Sequence, residues 1–425
     1  MKKYYSEPER KIPVCTETDV LVVGSGPAGF SAAINAARNG VDTVLIEQSG
    51  TVGGMATAGL MSHWTGETTG GFYEEILDRS SDGVDRHIIN PEKLKIVMLK
   101  MLCEAGVELH LYTFACGVIM KGSSLCGVIT ESKSGREAFM SRIIIDASGD
   151  GDIAAKAGVP FQKGRKDGKM QPVTLMFKVA GVDTARVKFI KNFESSYGTL
   201  DGDLQSLAKK TLPFPAGHIL IYPTTLPGVV TCNMTNCTDV DGTKKEDLTK
   251  AEYTCRSQLE PIVAFLQKYV PGFEKCFLIS SASIIGVRET RHFKGEYMLT
   301  EKDILKARVF KDWVVTKAHF NFDVHNIEGS GIDETGIQEQ FPQYKGYTIP
   351  YRCLLPKKVE NLLLAGRNIS GTHMAHSNFR AMPICANIGQ AAGIAGALSV
   401  KEGVSPRKLA VEKIQKILKK SGVRL

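Results

Sequence analysis

The first fifty residues alternate short apolar runs with one helical segment. Residues 19–23 are an apolar run that ends at the turn Gly24-Ser25-Gly26-Pro27-Ala28-Gly29. Residues 27–39 are rich in alanine and are followed by Gly40, which predicts a helix, and residues 43–46 are apolar again. The pattern predicts a β-α-β unit whose glycine turn joins the first strand to the helix.

The same periodicities continue along the chain and divide it into two domains. Further elements of a first domain are predicted over 90–103 (helix), 107–112, 116–120, 125–130 and 142–147 (strands). From about Val159 the pattern changes to strands, loops rich in Lys, Asp and Gly, and one long helix over 247–269. A buried strand over 361–365 and a helix over 383–400 then return to the pattern of the first domain. The predicted fold class is α/β, with a discontinuous three-layer dinucleotide-binding domain (1–158 and 346–425) and an inserted α+β substrate domain (159–345).

The net charge of +8 is concentrated at one end of the chain. Residues 401–425 hold eight basic and two acidic side chains, and so account for six of the eight positive charges. Ser405 as N-cap, Pro406 at the first position and a stripe of Val411, Ile414 and Leu418 predict a surface helix there. No aromatic residues are interleaved for base stacking, so a solvated helix face is favoured over a nucleic-acid site.

Neither metal binding nor export is indicated by the sequence. The closest pair among the ten cysteines, Cys232 and Cys237, is separated by four residues rather than by the two of a redox or zinc motif. We therefore predict no metal site. Residues 1–20 contain no signal-peptide core, and no uninterrupted apolar stretch reaches the roughly 18 to 20 residues that cross a bilayer. We expect a cytoplasmic protein without a membrane partner.

The glycine turn has the spacing of a dinucleotide site. Gly24 makes the tight turn, Gly26 lets the backbone approach a pyrophosphate, and Gly29 allows close contact between helix and strand. Pro27 and Ala28 open the helix, whose free N–H groups and dipole favour phosphate. Glu47 and Gln48 follow the second strand, where a carboxylate accepts hydrogen bonds from a ribose. The turn, its β-α-β setting and this acidic position together predict a bound dinucleotide.

A second glycine segment favours FAD over NAD. Gly53-Gly54-Met55-Ala56 follows Glu47 after five residues, and a further close backbone approach suits a cofactor that extends into a deep groove. Residues 149–154 also match a GxGxxA pattern, but no strand ending in an acidic residue follows at the required distance. We interpret Ala147, Gly149 and Asp150 as a place where the chain passes close to FAD, and not as an NAD(P)H site.

The chain resembles the bacterial FAD-dependent oxidoreductase family, whose flavin domain is of the glutathione-reductase type. The resemblance spans nearly the whole chain and rests on the N-terminal turn and on six later segments: Ile145–Asp152, Gly286-Val287-Arg288-Glu289-Thr290-Arg291, Asp323-Val324-His325, Pro350-Tyr351-Arg352, Asn361–Arg367 and Gly389–Gly393. It implies that Gly366 and Arg367 lie beside the flavin ribityl chain and pyrophosphate. It also implies that the helix starting at Ala381 and Pro383 points its N-terminus at the isoalloxazine ring.

Basic side chains in the same segments are candidates for a substrate site. Arginine binds carboxylates through two hydrogen bonds, and histidine moves protons near neutral pH. The candidate catalytic residues are Arg288, Arg291, His325, His373, His376 and Arg380. Some of them, such as Arg288 beside Glu289, are equally suited to structural ion pairs. His292 stands where the resemblance leads us to expect an arginine, and His63 follows the double-glycine segment.

The sequence therefore predicts an FAD-dependent oxidoreductase that transfers a hydride equivalent between flavin and a small organic substrate. A substrate with a carboxylate suits the arginines. Two alternatives stay open, namely a flavoprotein of RNA modification and a flavin-bearing electron-relay subunit of a complex. A homo-oligomer also stays open.

Overall fold

The computed structural model describes residues 3–83, 85–190, 195–335 and 345–425. The predicted β-α-β unit is confirmed, with β1 (Val14–Val23), α1 (Pro27–Arg38) and β2 (Thr43–Ile46). β1 and β2 are parallel, with Val20 opposite Thr43. β1 begins five residues earlier than predicted, because its partly exposed first half still pairs with a later strand, although it lacks an apolar run.

The first domain is built around one large sheet. Its next elements are α2 (Phe72–Ser80), α3 (Pro91–Ala105), β3 (Glu108–His110), β4 (Phe114–Lys121), β5 (Ser124–Ser132) and β6 (Gly135–Asp146). The strand order is β3-β2-β1-β6-β5-β4. β6 is parallel to β1, while β4, β5 and β6 form an antiparallel meander. The carboxyl ends of β1 and β6 therefore lie side by side, each followed by a glycine-containing loop.

A second group of elements has its own hydrophobic core. α4 (Asp152–Lys156) and β7 (Phe161–Lys163) come first along the chain, and Ile153 and Ala154 of α4 are buried in the core of the first domain. The elements around the second core are β8 (Phe177–Ala180), β9 (Gly198–Thr199), β10 (Gly202–Asp203), α5 (Leu204–Thr211), β11 (Ile221–Pro223), β12 (Val230–Cys232), α6 (Lys245–Ser257), α7 (Leu259–Tyr269) and β13 (Phe277–Ser281). Four strands form an antiparallel sheet in the order β11-β12-β8-β13. Apart from Leu60, the buried core residues here fall between Val173 and Ile285.

The single long helix predicted over 247–269 is wrong, because α6 and α7 are separate helices that meet at Gln258. The buried Gln258 side chain accepts a hydrogen bond from the Asn236 backbone N–H and donates one to the Asn236 carbonyl oxygen. Pro261 lies in the first turn of α7, where a missing N–H breaks no helical hydrogen bond. The apolar periodicity continues through the break, and Pro261, which cannot donate to the Ser257 carbonyl oxygen, is the sequence signal that the prediction did not use.

The chain then returns to the first domain. The remaining elements are β14 (Arg291–Phe293), α8 (Glu301–Leu305), β15 (Trp313–Ala318), β16 (Tyr347–Pro350), β17 (Leu362–Leu364), α9 (His373–Phe379), α10 (Met382–Glu402) and α11 (Val411–Lys420). β17 joins the large sheet parallel to β6, with Leu362 opposite Ile144. Phe293, Leu299 and Trp313 already belong to the first core, although the sequence analysis assigned residues up to 345 to the inserted domain.

α10 is the central helix of the first domain. It is long and apolar enough to cross a bilayer, but 94% of its apolar window is buried inside the protein. α11 begins at Val411, so the prediction that Ser405 and Pro406 open this helix is wrong. They open a short 3-10 turn (Pro406–Lys408), after which Leu409 and Ala410 are extended. Ile414 and Leu418 are buried as predicted.

Candidate cofactor and active site

The glycine turn has the geometry of a phosphate cradle. Gly24 has φ +94°, and a Cβ there would lie 2.5 Å from the Ala147 carbonyl oxygen. A Cβ on Gly29 would lie 1.8 Å from the Gly24 oxygen, whereas one on Gly26 would meet no described atom within 4 Å. Gly24 and Gly29 are thus required for close packing, and Gly26 leaves the backbone accessible to a ligand. α1 begins at Pro27 without a side-chain cap, so its N–H groups are available to phosphate.

Glu47 holds this turn in place. Its Oε2 accepts hydrogen bonds from the Ser25 backbone N–H at 2.9 Å and from the Ser25 hydroxyl at 2.7 Å. Its Oε1 accepts one from the Ser49 N–H. The contact with ribose stays a prediction, and Gln48 is exposed. The link between Glu47 and Ser25 was missed, because the sequence shows only a serine inside a glycine motif.

The double-glycine segment lies against the first turn. The Gly53 N–H donates to the Ser25 carbonyl oxygen at 2.9 Å. Gly54 has φ +51°, and a Cβ there would lie 3.1 Å from the Gly26 Cα. Met55 and Ala56 complete a 3-10 turn, and Met55 lines the cavity described below.

The loop after β6 and the segment after β17 meet beside the turn. Arg367 Nη2 lies 2.7 Å from Asp150 Oδ1, and the same oxygen accepts a hydrogen bond from the Thr290 hydroxyl. Gly149 has φ +84° and faces the Arg367 guanidinium. Gly366 has φ +92°, and a Cβ there would lie 2.9 Å from the Ala28 Cβ. The structure therefore brings together the cofactor residues predicted from four distant segments of the chain.

Asp146 supports this loop from inside the protein. Its carboxylate accepts hydrogen bonds from the Ser148 N–H and hydroxyl and from the Ala154 N–H. The side chain is fully buried, and burial raises its pKa to about 6. Asn368 donates to the Asp146 carbonyl oxygen from the other side.

The N-terminus of α10 faces the same space. Its N-cap residue Ala381 provides no side-chain cap, Pro383 lies in the first turn, and Ala381 and Met382 line the cavity. A 21-residue helix places a partial positive charge at this end. α10 lies close against α1, since a Cβ on Gly389 would be 1.9 Å from the Ala28 oxygen and one on Gly393 would be 2.2 Å from the Ala32 oxygen.

A cavity of about 500 Å³ opens between the two domains at this point. One wall comes from the cofactor segments, including Met55, Arg367, Ala381 and Met382. The inserted domain contributes a largely apolar part of the lining, which includes Met176, Phe189, Ile190, Leu220 and Tyr222. His63 also lines the cavity, stacks on Tyr222 with ring centroids 5.3 Å apart, and has its pKa lowered by burial.

Four charged or titratable side chains form the polar end of the cavity. Arg380 Nη2 lies 2.6 Å from Asp323 Oδ2, and His325 Nε2 lies 3.3 Å from Asp323 Oδ1. Arg288 donates to the Pro172 carbonyl oxygen at 2.6 Å. Both guanidinium groups and the imidazole line the cavity, so the polar end offers hydrogen-bond donors to a ligand.

The electrostatics leave this end positively charged at neutral pH. Burial and the neighbouring Arg380 lower the pKa of Arg288 to about 10, so Arg288 stays protonated. Burial alone would raise the pKa of Asp323, but His325 and Arg380 hold it well below its ordinary value. Burial and Arg288 lower the pKa of His325 to about 4, so its imidazole is neutral. Two cations and one carboxylate leave one positive charge, which suits an anionic ligand.

The six catalytic candidates separate into two groups. Arg288, His325 and Arg380 line the cavity. Arg291 instead donates to the Asp150 carbonyl oxygen and to Asp152, and its guanidinium lies 5.5 Å from the Phe161 ring centroid. His373 and His376 lie on α9 near Glu289 and His292. A catalytic role stays a prediction for all six.

Several cavity residues were missed by the sequence analysis. Tyr222 and Asn233 come from β11 and the residue after β12, and Thr174 precedes β8. Asn233 accepts a hydrogen bond from the Thr174 hydroxyl at 3.0 Å. These residues lie in short strands and loops without a motif, and only the folded inserted domain brings them to the cofactor segments.

Comparison with known proteins agrees with this geometry. The sequence matches the FAD dependent oxidoreductase family over residues 19–418. It is 29% identical to a digeranylgeranylglycerophospholipid reductase of Methanocella arvoryzae over 34% of this chain and 41% of that protein. It is 25% identical to a tRNA uridine 5-carboxymethylaminomethyl modification enzyme of Dichelobacter nodosus over 92% of this chain and 63% of that enzyme. The chain thus spans less than two thirds of the length of these curated relatives.

A solved structure shares the fold at low sequence identity. A p-nitrophenol 4-monooxygenase of Pseudomonas putida superposes with a TM-score of 0.50 and 11% identity, covering 96% of this chain and 87% of that one. A geranylgeranyl bacteriochlorophyll reductase-like protein of Thermoplasma acidophilum has a TM-score of 0.48 and 16% identity, covering 96% and 84%. The family match covers nearly the whole chain, and its cofactor is the one that the assembled glycine segments fit. The protein therefore belongs to the FAD-dependent oxidoreductase family.

Proposed function

We propose that this oxidoreductase transfers a hydride equivalent between FAD and a small organic substrate that carries a carboxylate. The observation that supports the proposal is the position of Arg288, Asp323, His325 and Arg380, which meet in the same cavity as the N-terminus of α10. When bound, FAD supplies the group that gains or loses the hydride. The residues of this chain then have to hold the substrate, exclude water and move a proton.

Arg288 and Arg380 provide the binding energy for the carboxylate. Both are largely buried among protein atoms, where a charge-assisted hydrogen bond is stronger than in water. Arg380 is already oriented by Asp323, and Arg288 by the Pro172 carbonyl oxygen. Each guanidinium can still donate from its remaining N–H groups.

His325 is the candidate proton carrier. Its neutral imidazole is oriented by Asp323 at 3.3 Å, the kind of pairing that fixes which ring nitrogen holds the proton. Because the depressed pKa keeps the ring neutral at pH 7, its role would be to take a proton from the substrate, with Asp323 stabilising the imidazolium that forms. The apolar wall of Met176, Phe189 and Leu220 suits a substrate with an apolar body and keeps water away from the reacting atoms.

The test uses a panel of small carboxylates and their uncharged amides. The purified enzyme should hold flavin, and the oxidised or photoreduced form should bleach or recolour with one or more carboxylates under anaerobic conditions. The matched amides should react at least roughly 100-fold more slowly, because they cannot use both arginines. Equal reaction with acid and amide would refute a carboxylate site, and a protein that binds no flavin would refute the whole proposal.

Arg288→Lys tests whether the guanidinium group itself binds the carboxylate. Lysine keeps the charge but loses the planar pair of N–H donors, so we expect kcat/KM for the carboxylate to fall roughly 100-fold with flavin content unchanged. The matched control is Arg186→Lys, which makes the same change at an exposed arginine paired with Glu274. Unchanged turnover in Arg288→Lys would remove Arg288 from the site.

A flavoprotein of RNA modification remains the second candidate. Its support is the similarity over 92% of the chain to an enzyme named for tRNA uridine modification, together with the basic C-terminal region. The RNA-modifying enzyme would need exposed lysines outside the cavity to bind RNA, whereas the carboxylate oxidoreductase would not.

A further inference from the structure

A second cluster of polar side chains lies beside the cavity and is not used by the proposed reaction. It consists of Glu289, His292 and His373, which we call the His2Glu cluster. His292 Nε2 lies 2.6 Å from Glu289 Oε1, and His373 Nδ1 lies 2.5 Å from the same oxygen. Two imidazole nitrogens from different elements therefore converge on one carboxylate oxygen.

Three separate parts of the chain fix this convergence. Glu289 lies in the loop before β14, His292 in β14, and His373 is the first residue of α9, whose N-cap is Thr372. The other oxygen of Glu289 accepts a hydrogen bond from the Gln171 backbone N–H at 3.1 Å. Oε1 is thereby directed towards the two rings.

Burial removes this cluster from water, so its polar atoms depend on partners within the protein. Glu289 is 1% exposed and His292 4% exposed, so the carboxylate is removed from water. His292 Nδ1 and His373 Nε2 are buried and have no hydrogen-bond partner among the residues that the structure describes. With hydrogen bonds alone, one buried carboxylate oxygen has to serve both rings, whereas an ion between the three side chains would be bound by all three at once; the second nitrogen of each ring is the same in either case.

We propose that the His2Glu cluster binds a divalent transition-metal ion such as Zn²⁺. Two imidazole nitrogens and one carboxylate oxygen are the donor set that zinc and iron(II) prefer, with further positions left for water. The three donor atoms lie within 4.8 Å of one another. Tetrahedral bonds of about 2.0 to 2.1 Å place neighbouring donors about 3.3 Å apart, so each ring needs to move outward by less than about 1 Å.

The ion would fix the segment that joins the two halves of the active site. Arg288, next to Glu289, faces the cavity, while Thr290 donates to Asp150 in the cofactor segment. An ion held by Glu289 would hold this segment against α9. This role is structural, and the proposal does not depend on the identity of the substrate or on the proposed reaction.

The experiment measures metal in the full-length flavoprotein purified without a polyhistidine tag. Elemental analysis should find about one equivalent of a divalent transition metal per chain. The metal-free protein should bind Co²⁺ with d–d absorption at longer wavelengths than flavin, and Zn²⁺ should displace it. Glu289→Gln, His292→Asn and His373→Asn should each weaken Co²⁺ binding at least roughly 10-fold.

The matched control is His110→Asn, which removes a histidine that lies 2.6 Å from Glu108 at a partly exposed position. This variant should bind Co²⁺ as the unmodified protein does. If a cluster variant does not fold, the Co²⁺ spectrum and stoichiometry of the unmodified protein still decide the question. A folded, flavin-loaded protein that contains no metal and gives no Co²⁺ spectrum would overturn the proposal, as would equal Co²⁺ affinity in all four variants.

Discussion

Individual charges decide what the cavity can bind. Asp323 lies between Arg380 and His325 and is the only carboxylate among the described residues that line the cavity. Its ionised carboxylate accepts from Arg380 and pairs with His325, so one charge orients both basic side chains. The motif Asp323-Val324-His325 was recognised in the sequence, but its relation to Arg380 was not, because the two partners lie 57 positions apart in the chain.

The depressed pKa of His325 predicts a pH dependence of stability. Burial lowers this pKa to about 4 from an ordinary value of 6.5. Between these values the unfolded chain binds a proton that the folded protein does not, so stability rises with pH through this window and is lost on acidification. Asp323 stays ionised there, because its pKa is held well below the window. From pH 7 to pH 5 the His325 contribution to this loss is about 2 kcal/mol.

His325→Gln should remove that contribution. We expect the unmodified protein to lose more unfolding free energy between pH 7 and pH 5 than the variant, by about 2 kcal/mol in urea titrations. Parallel pH curves for His325→Gln and the unmodified protein would show that His325 is protonated equally in both states.

The packing of α10 on α1 shows which elements the sequence could predict. Both helices were predicted from alanine and glycine content, and their observed bounds, Pro27–Arg38 and Met382–Glu402, differ from the prediction by at most two residues at each end. The break at Gln258 was not predicted, because the prediction followed apolar periodicity and gave no weight to Pro261, whose missing N–H and ring interrupt a helix. The hydrogen bonds between Gln258 and Asn236 hold the two helices at this break, and the sequence pattern does not indicate that contact.

Two glycines in α10 allow the close contact with α1 to be tested, one at the contact and one away from it. Gly389→Ala would place a Cβ 1.9 Å from the Ala28 backbone oxygen, whereas Gly396→Ala would place one 3.5 Å from the side chains of Val20 and Ile145. We expect Gly389→Ala to destabilise the protein by about 1 to 3 kcal/mol and to reduce flavin content, because α10 has to move away from α1. Gly396→Ala should be neutral or stabilising by up to about 1 kcal/mol, since alanine favours the helix.

Thermal denaturation and the ratio of flavin to protein absorbance would check both variants. Both variants make the same substitution in the same helix, so a difference in their stability or flavin content reports on what the new Cβ contacts. If the two alanine variants retained equal flavin and equal stability, close contact between α1 and α10 would not be what holds the cofactor segments together.

At the scale of the molecule, the site is made by a chain that leaves the first domain and returns. The inserted core between Val173 and Ile285 supplies Tyr222, Asn233 and Thr174, while the first domain supplies the glycine segments. The sequence predicted the return through the strand over 361–365, which β17 confirms. The sequence could not predict which residues of the inserted domain face the cofactor segments. That depends on how the two cores pack together, and no local sequence pattern indicates this packing.

The basic C-terminal helix α11 allows a test of whether the protein acts on a small molecule or on RNA. In α11, Lys416 and Lys420 are exposed while Ile414 and Leu418 are buried, so charge can be reversed without disturbing the core. We expect Lys416→Glu with Lys420→Glu to leave flavin content and turnover of small carboxylates unchanged, with only weak RNA binding before and after. Lys209→Glu with Lys210→Glu, at exposed positions of α5, is the matched control. RNA binding that is tight at physiological salt, with a salt dependence lowered by about two charges only in the α11 variant, would instead favour the RNA function.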